Sequence, residues 1–460
     1  MSMVFSSISF IFYFLPIVLA VYYLTSRKYK NLVLLISSLA FYFIGEEKLI
    51  IVFISSIIFN YLWAFAIDKY HNKASLVVGV VFNLGLLAYF KYANFFIGNL
   101  NNIFNINIKL LNITLPIGIS FFTFQGISYL IDVYRKDTEV QKSLISFATY
   151  ISFFPQLIAG PIVRYTDVED DLRNRQDNSD DFVLGIKRFV LGLAKKIIIA
   201  DSLALFISSL NEMVTKTVLS HILEAIAYTF QLYFDFSAYS DMAIGLGLFF
   251  GFHFLENFNY PLFATSITDF WRKWHISLSS WFKDYLYIPL GGSRVKPMRH
   301  IFNIMVVWLL TGFWHGANYN FIIWGLYFGI ILIIEKYFLL NHLKRHKVFG
   351  HIYTFIIVVF GFVIFNHSDL NELITFITNM LGLNGLAFSN SETIYYLESN
   401  LVLLIISFIF ASPLLKNLYG RIKNYRWTYY LEYTGLIIIF ILSISYLVSA
   451  SFSPFLYFRF

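Results

Sequence analysis

The chain has no cysteine, and charge is scarce: 13% of its 460 residues are Asp, Glu, Lys or Arg. The first absence excludes disulfides, thiolate metal sites and a cysteine acyl-enzyme. The second sets the chain apart from soluble domains, of which roughly a quarter is charged. No polar stretch is long enough for a soluble domain; the two longest run over 163–183 and 366–400. No internal repeat is visible, which removes the inverted-repeat signature of many transporters. There is no Gly-x-Ser-x-Gly elbow, no phosphate-cradling glycine loop and no metal-ligand cluster. No basic residue precedes the first apolar run, and no small-residue cleavage site follows it, so a cleaved signal peptide is not expected.

What is present is apolar. Hydrophobic residues make up 58% of the chain, 53 of them phenylalanine, and the mean hydropathy is +0.67. These values describe an all-α, polytopic integral membrane protein with aromatic-rich packing between helices. The net charge of +7 then reports cytoplasmic loops rather than nucleic-acid binding.

Apolar runs near 8–24, 31–44, 49–67, 76–97 and 115–131 read as five successive spans, some shorter than the roughly 20 residues a full crossing prefers. Basic residues at Arg27, Lys28 and Lys30 put the N-terminus outside, and charges alternate regularly as far as Arg135 and Lys136. The alternation then breaks. A crossing at 144–160 would leave Arg164, Arg173 and Arg175 outside, yet Lys187, Arg188, Lys195 and Lys196 follow soon after. Pro155, Gly160 and Pro161 interrupt that run, so a re-entrant segment returning to the cytoplasm is expected, surrounded by protein or lining a cavity. Spans at 321–334, 351–366, 400–415 and 431–450 complete the reading and leave the C-terminus outside. A single transmembrane domain is expected over 1–460: N-terminal helices to 136, a core with re-entrant segments over 137–335, and C-terminal helices over 336–460.

Two histidines stand out, His275 in Asp269-Phe-Trp-Arg-Lys-Trp-His275 and His315 in Thr311-Gly-Phe-Trp314-His315-Gly316. Imidazole titrates near neutrality and can take a proton from a hydroxyl. A membrane histidine can also be purely structural, but two Trp-flanked sites point to acid–base chemistry. Ser266 or Thr268 should cap a helix with Asp269 in its first turn; Arg272, His275 and Ser279 would then share one helix face, flanked by Trp271 and Trp274. Arg272 and Lys273 suit an anionic donor, or are ordinary positive-inside residues at the membrane interface. Gly312 and Gly316 bracket His315 and would leave room for a thin substrate, or would only let two helices approach. A third constellation, Tyr233-Phe-Asp235-Phe-Ser237-Ala-Tyr239-Ser-Asp241, is either the wall of a hydrated pocket or a structural polar network. His71, His342, His346 and His367 fall in polar loops and read as solvated.

These strings, together with Met3-Val-Phe-Ser-Ser7, Leu115-Pro-Ile-Gly-Ile-Ser-Phe121, Pro155-Gln-Leu-Ile-Ala-Gly-Pro161, Gln231 to Ser237 and Asp284 to Gly292, resemble the membrane-bound O-acyltransferase superfamily, and within it the bacterial alginate O-acetyltransferase-like branch. The resemblance covers nearly the whole chain. It implies a ring of tilted helices with re-entrant segments around a central tunnel. It places the proposed catalytic histidine at His315 and a second active-site histidine at His275. The residue strings themselves offer Asp269, Trp271, Arg272, Trp274, Ser237, Tyr239, Asp241, Trp314, Gly312 and Gly316 as candidates for the substrate and donor pocket. The resemblance also implies acetyl transfer from a cytoplasmic thioester, acetyl-CoA or another acyl donor, across the inner membrane to a glycan such as alginate, peptidoglycan or cellulose. An extracytoplasmic hydrolase-like acetyltransferase would be the partner; no bound cofactor or metal and no nucleic acid is expected. The D-alanyl transfer proteins of teichoic acid synthesis are the related alternative, and a polytopic transporter or flippase the unrelated one.

Overall fold

The structure, a computed structural model, describes residues 3–158 and 160–449, and every regular element among them is a helix. Among the described residues, six helices are long and apolar enough to cross a membrane: Ile50–Tyr70, Lys73–Phe104, Tyr319–Arg345, Lys347–Asn366, Ser391–Ala411 and Arg426–Ser449. They correspond to the spans expected near 49–67, 76–97, 321–334, 351–366, 400–415 and 431–450; position 450 and the C-terminal tail lie outside the described residues.

The other expected spans form shorter helices. The run near 8–24 gives an apolar stretch over Phe10–Leu24. That near 31–44 becomes Lys30–Gly45, and that near 115–131 becomes Ile119–Arg135. The last is buried at 14 of its 17 positions, between Ile50–Tyr70 and Lys73–Leu87. Its apolar character therefore comes from being enclosed by protein. Asn60 and Asn83 on these two neighbours exchange amide hydrogen bonds of 3.1 and 2.8 Å, which satisfies both polar side chains where water is absent.

The segment expected to be re-entrant is broken as its prolines and glycine suggest. Leu144–Ser152 is followed by the four-residue turn Phe154–Leu157. A nine-residue helix rises about 14 Å, half of a roughly 30 Å hydrocarbon core. Two of the segment's buried polar groups are bonded to their surroundings: the Phe154 N–H donates to the Ser38 hydroxyl at 3.1 Å, and the Tyr150 hydroxyl donates to the Val163 carbonyl at 3.1 Å. Ala159 lies outside the described residues.

The chain divides into two compact units, one comprising residues up to Phe189 with Tyr239–Glu256, the other Val190–Ala238 with Asn257 onward. Both histidines of interest lie in the second. Its elements there are α1 (Val218–Phe249, whose end from Tyr239 belongs to the first unit), α2 (Ile267–Trp271), α3 (Ile276–Phe282), α4 (Pro297–His315), α5 (Tyr319–Ile334) and α6 (Lys347–Asn366). α4 and α5 form a tight hairpin because glycines face each other. A Cβ on Gly312 would lie 2.2 Å from the Phe321 carbonyl oxygen, and one on Gly325 2.4 Å from that of Trp308.

Candidate active site

One cavity of about 450 Å³ receives both histidines. Along α4 it is lined by His300, Ile304, Val307, Trp308, Thr311 and His315, a stripe of single-helix spacing. At 1.5 Å per residue that stripe is about 22 Å long. The cavity is therefore an elongated channel beside α4.

His315 ends α4 and is 6% exposed. Its ring stands edge-on to Trp324 at 5.0 Å and to Phe365 at 5.3 Å. His275 is near the same end, because its ring lies 6.3 Å from Trp314, the neighbour of His315. Trp271, which also lines the cavity, packs on Trp308 at 4.7 Å, Phe328 at 5.0 Å and Trp324 at 5.5 Å. This aromatic cluster builds the dry part of the wall.

The expected single helix from Asp269 to Ser279 does not form. α2 ends at Trp271, and His275 takes a left-handed conformation with φ of 45° as it opens α3. Such a backbone is uncommon for a side-chain-bearing residue and is held only where the surroundings impose it. Here the Asn259 N–H donates to the Lys273 carbonyl at 2.9 Å, and the Ile276 N–H donates to the Asn257 carbonyl at 3.0 Å. Despite the break, Arg272, His275 and Ser279 all line the cavity.

His275 is 1% exposed, and burial pushes its imidazole below the ordinary range, which favours the neutral ring. Its Nδ1 lies 3.2 Å from Asn257 Oδ1. The same oxygen accepts from the Ser277 N–H at 3.1 Å and from the Ser277 hydroxyl at 2.9 Å. Phe236 on α1 stands edge-on to the ring at 4.7 Å.

α2 starts as expected. Ser266 caps it by accepting from the Asp269 N–H at 3.0 Å. A second cap was not foreseen: the fully buried Glu335 carboxylate accepts from the Ile267 N–H at 2.6 Å, the Thr268 N–H at 2.8 Å and the Thr268 hydroxyl at 2.7 Å. A carboxylate there is favoured by the free N–H groups of a helix start.

The cations divide differently from the expectation. Lys273 is bound to Asp269 at 2.8 Å, so neither is offered to a ligand; neither lines the cavity. Arg272, Lys283 and Lys336 do line it, and none of the three makes an ion pair among the described residues. Lys336 stands at the His300 end, since its neighbour Tyr337 bonds His300 Nδ1 at 2.9 Å; Tyr287, also in the lining, bonds His300 Nε2 at 2.9 Å. The channel thus has basic and phenolic groups at one end and the two buried histidines at the other.

Of the remaining candidates, Trp274 lines the cavity and Trp314 stands beside it. Gly312 and Gly316 do not line it. A Cβ on Gly316 would meet the Phe321 ring at 2.1 Å, so the space beside both glycines is filled by α5 and not left for a substrate. Ser237, Tyr239 and Asp241 are not in the lining either. Tyr239 stacks on Phe5 at 4.7 Å, and Asp241 is paired with Arg188 at 2.7 Å, both within the first unit. Asp235 is paired with Lys196 at 2.7 Å in the second. The two carboxylates of that constellation behave as a structural polar network. Sequence reasoning missed His300, Trp324, Lys283 and Lys336 as site residues and gave no role to Asn257 or Trp308. The only signal was a stripe of residues along α4 leading from His300 to His315.

A family model described as MBOAT, membrane-bound O-acyltransferase family, matches residues 139–368, which span every residue of the cavity. The chain belongs to the membrane-bound O-acyltransferase family. It is a multi-pass membrane O-acyltransferase acting on an acyl donor. The probable alginate O-acetylase AlgI of Pseudomonas aeruginosa is 46% identical over 378 residues, covering 80% of this chain and 73% of that protein. The probable alginate O-acetylase AlgI of Pseudomonas putida is 40% identical, with both chains covered in full. A peptidoglycan O-acetyltransferase of Helicobacter pylori is 36% identical over 90% of this chain and 87% of its own.

Proposed function

We propose that this acyltransferase moves acetyl groups from a cytoplasmic thioester, acetyl-CoA or a close equivalent, toward O-acetylation of an extracytoplasmic polysaccharide. The observation that carries the donor assignment is the polarity of the channel: unpaired cations along it and at its His300 end, and buried histidines about 22 Å away at the other. A donor with an anionic head and a long arm ending in a thioester matches that layout. The names of the relatives support a glycan as the final acceptor, since both alginate and peptidoglycan acetylation are glycan O-acetylations.

In this reading His315 takes the proton of an acceptor hydroxyl as its oxygen attacks the thioester carbonyl. A C–O bond forms, the C–S bond breaks, and the departing thiolate recovers the proton. A thiolate leaves readily, so little acid assistance is required. Arg272, with Lys283 and Lys336, holds the donor's anionic head. The first acceptor is a hydroxyl of a hydrolase-like extracytoplasmic partner or of the sugar itself. The termini lie outside and Arg173 on the cytoplasmic face, in an inner membrane.

Purified protein incubated with acetyl-labelled acetyl-CoA and a polysaccharide acceptor, with the partner added, should transfer label. His315→Ala should lower transfer about 10²–10⁴-fold, the usual loss on removing a general base. Transfer from a D-alanyl carrier-protein thioester in place of acetyl-CoA would select the D-alanylation alternative. Wild-type rates in His315→Ala would remove His315 from the chemistry.

A further inference from the structure

Resting on the acyltransfer reading above, we propose that Asn257 is a positioning residue that locks His275 in the tautomer with its proton on Nδ1, so that Nε2 meets the substrate as a lone pair.

The argument begins at a backbone group that leaves no choice. The Ser277 N–H can only donate, and it lies 3.1 Å from the Asn257 amide atom assigned as Oδ1. That atom must therefore be the oxygen, because an amide nitrogen there would set donor against donor. The Ser277 hydroxyl, 2.9 Å from the same oxygen, also donates to it. An oxygen that only accepts cannot supply a hydrogen to His275 Nδ1 at 3.2 Å, so Nδ1 is the donor of that bond. The Ser277 hydroxyl oxygen, 3.4 Å from Nδ1, has its own proton directed at Asn257 and faces the ring with lone pairs. Both contacts call for the same tautomer. Asn257 is fully buried, and its carbonyl holds the Ile276 N–H at 3.0 Å, so its side chain is presented from a fixed backbone.

A neutral ring so held accepts a hydrogen bond at Nε2 and does not give one there. A role in steadying developing negative charge would need the opposite tautomer or a protonated ring. The structure assigns it instead to receive a hydrogen, from the acceptor hydroxyl or from an N–H of the donor's arm, and so to orient that group beside His315.

The test uses the full-length protein in detergent. Nitrogen-15 NMR of histidine-labelled protein, with the His275 signals identified by their loss in His275→Gln, should show a protonated Nδ1 and an unprotonated Nε2. Asn257→Ala should mix the two forms and lower kcat. Asn257→Asp keeps the acceptor oxygen but adds a negative charge, which raises the imidazole pKa. The neutral ring then persists only at higher pH, and the acidic limb of the kcat/KM profile should move upward by roughly one to three pH units. A merely structural Asn257 would lower thermal stability in both variants and leave that limb in place, which would overturn the proposal. So would an unprotonated Nδ1 in the unaltered protein. The nitrogen spectra decide the tautomer whether or not acetyl transfer is observed, so failure of the lock and failure of the acyltransfer reading are separate results.

Discussion

At the scale of the residue, the clearest division is between cations that are engaged and cations that are offered. Lys273 and Arg272 are adjacent in sequence, and both were candidates for an anionic donor. Lys273 turns to Asp269 at 2.8 Å, whereas Arg272 lines the channel. Under the proposed function, Arg272→Ala should raise the KM for the thioester donor about tenfold, the order expected for losing a hydrogen bond to a charged group. kcat should change little, because a head-group contact is equally strong in the ground and transition states. Steady-state kinetics with varied acetyl-CoA check this. An unchanged KM with a collapsed kcat would move Arg272 into the catalytic machinery. The candidate histidines were legible because each sits in a string of Trp and small polar residues. The role of Asn257 was not, because it depends on contacts across 18 and 20 residues that no local pattern announces.

At the scale of the element, the informative features are a helix that stops and a pair that approaches closely. The hydrophobic spacing from Asp269 to Ser279 fits one helix, and nothing in it signals a histidine at φ of 45°. That conformation is imposed by the Asn257–Asn259 segment, so it is a tertiary override of local propensity. The α4–α5 hairpin shows the reverse case. Gly312 and Gly316 were visible in the sequence, and in the structure both lie against α5 and outside the channel lining. Gly312→Leu or Gly316→Leu would drive a side chain into the Phe321 carbonyl or ring. Either should lower stability by about 3 kcal/mol or more, the upper part of the usual cost of overpacking, and activity should fall with it. Thermal unfolding in detergent, followed beside acetyl transfer, measures both. A variant that unfolds normally yet cannot transfer acyl groups would restore the substrate-path reading.

At the scale of the molecule, the long apolar runs translated directly into six span-length helices. The run near 115–131 reads alike in sequence but forms a shorter, enclosed helix, because enclosure by protein and contact with lipid favour the same side chains. Sidedness is carried by charge. The absence of cysteine makes it measurable, since any thiol introduced is the only one in the chain. Arg173, on the short amphipathic helix Tyr165–Asn174, has a half-exposed side chain paired with Glu169 at 2.8 Å. Arg173→Cys should react with a membrane-impermeant thiol reagent in inside-out vesicles and not in intact cells. Labelling in intact cells would turn the segment after Leu144–Ser152 into a true crossing.

The channel beside α4 also has a consequence for which donors the enzyme tolerates. Its two ends are marked on one helix, His300 and His315, and a helix neither stretches nor compresses appreciably. The separation of about 22 Å is thus a rigid gauge. Under the proposed function, a thioester on a shortened arm can seat its head or deliver its acyl carbon, but not both at once. An arm of the right reach does both, and the grip on the distant head then helps hold the carbonyl in place for attack. Selectivity for the donor would on this view reside less in recognition of the small acetyl group than in the measured reach of what carries it.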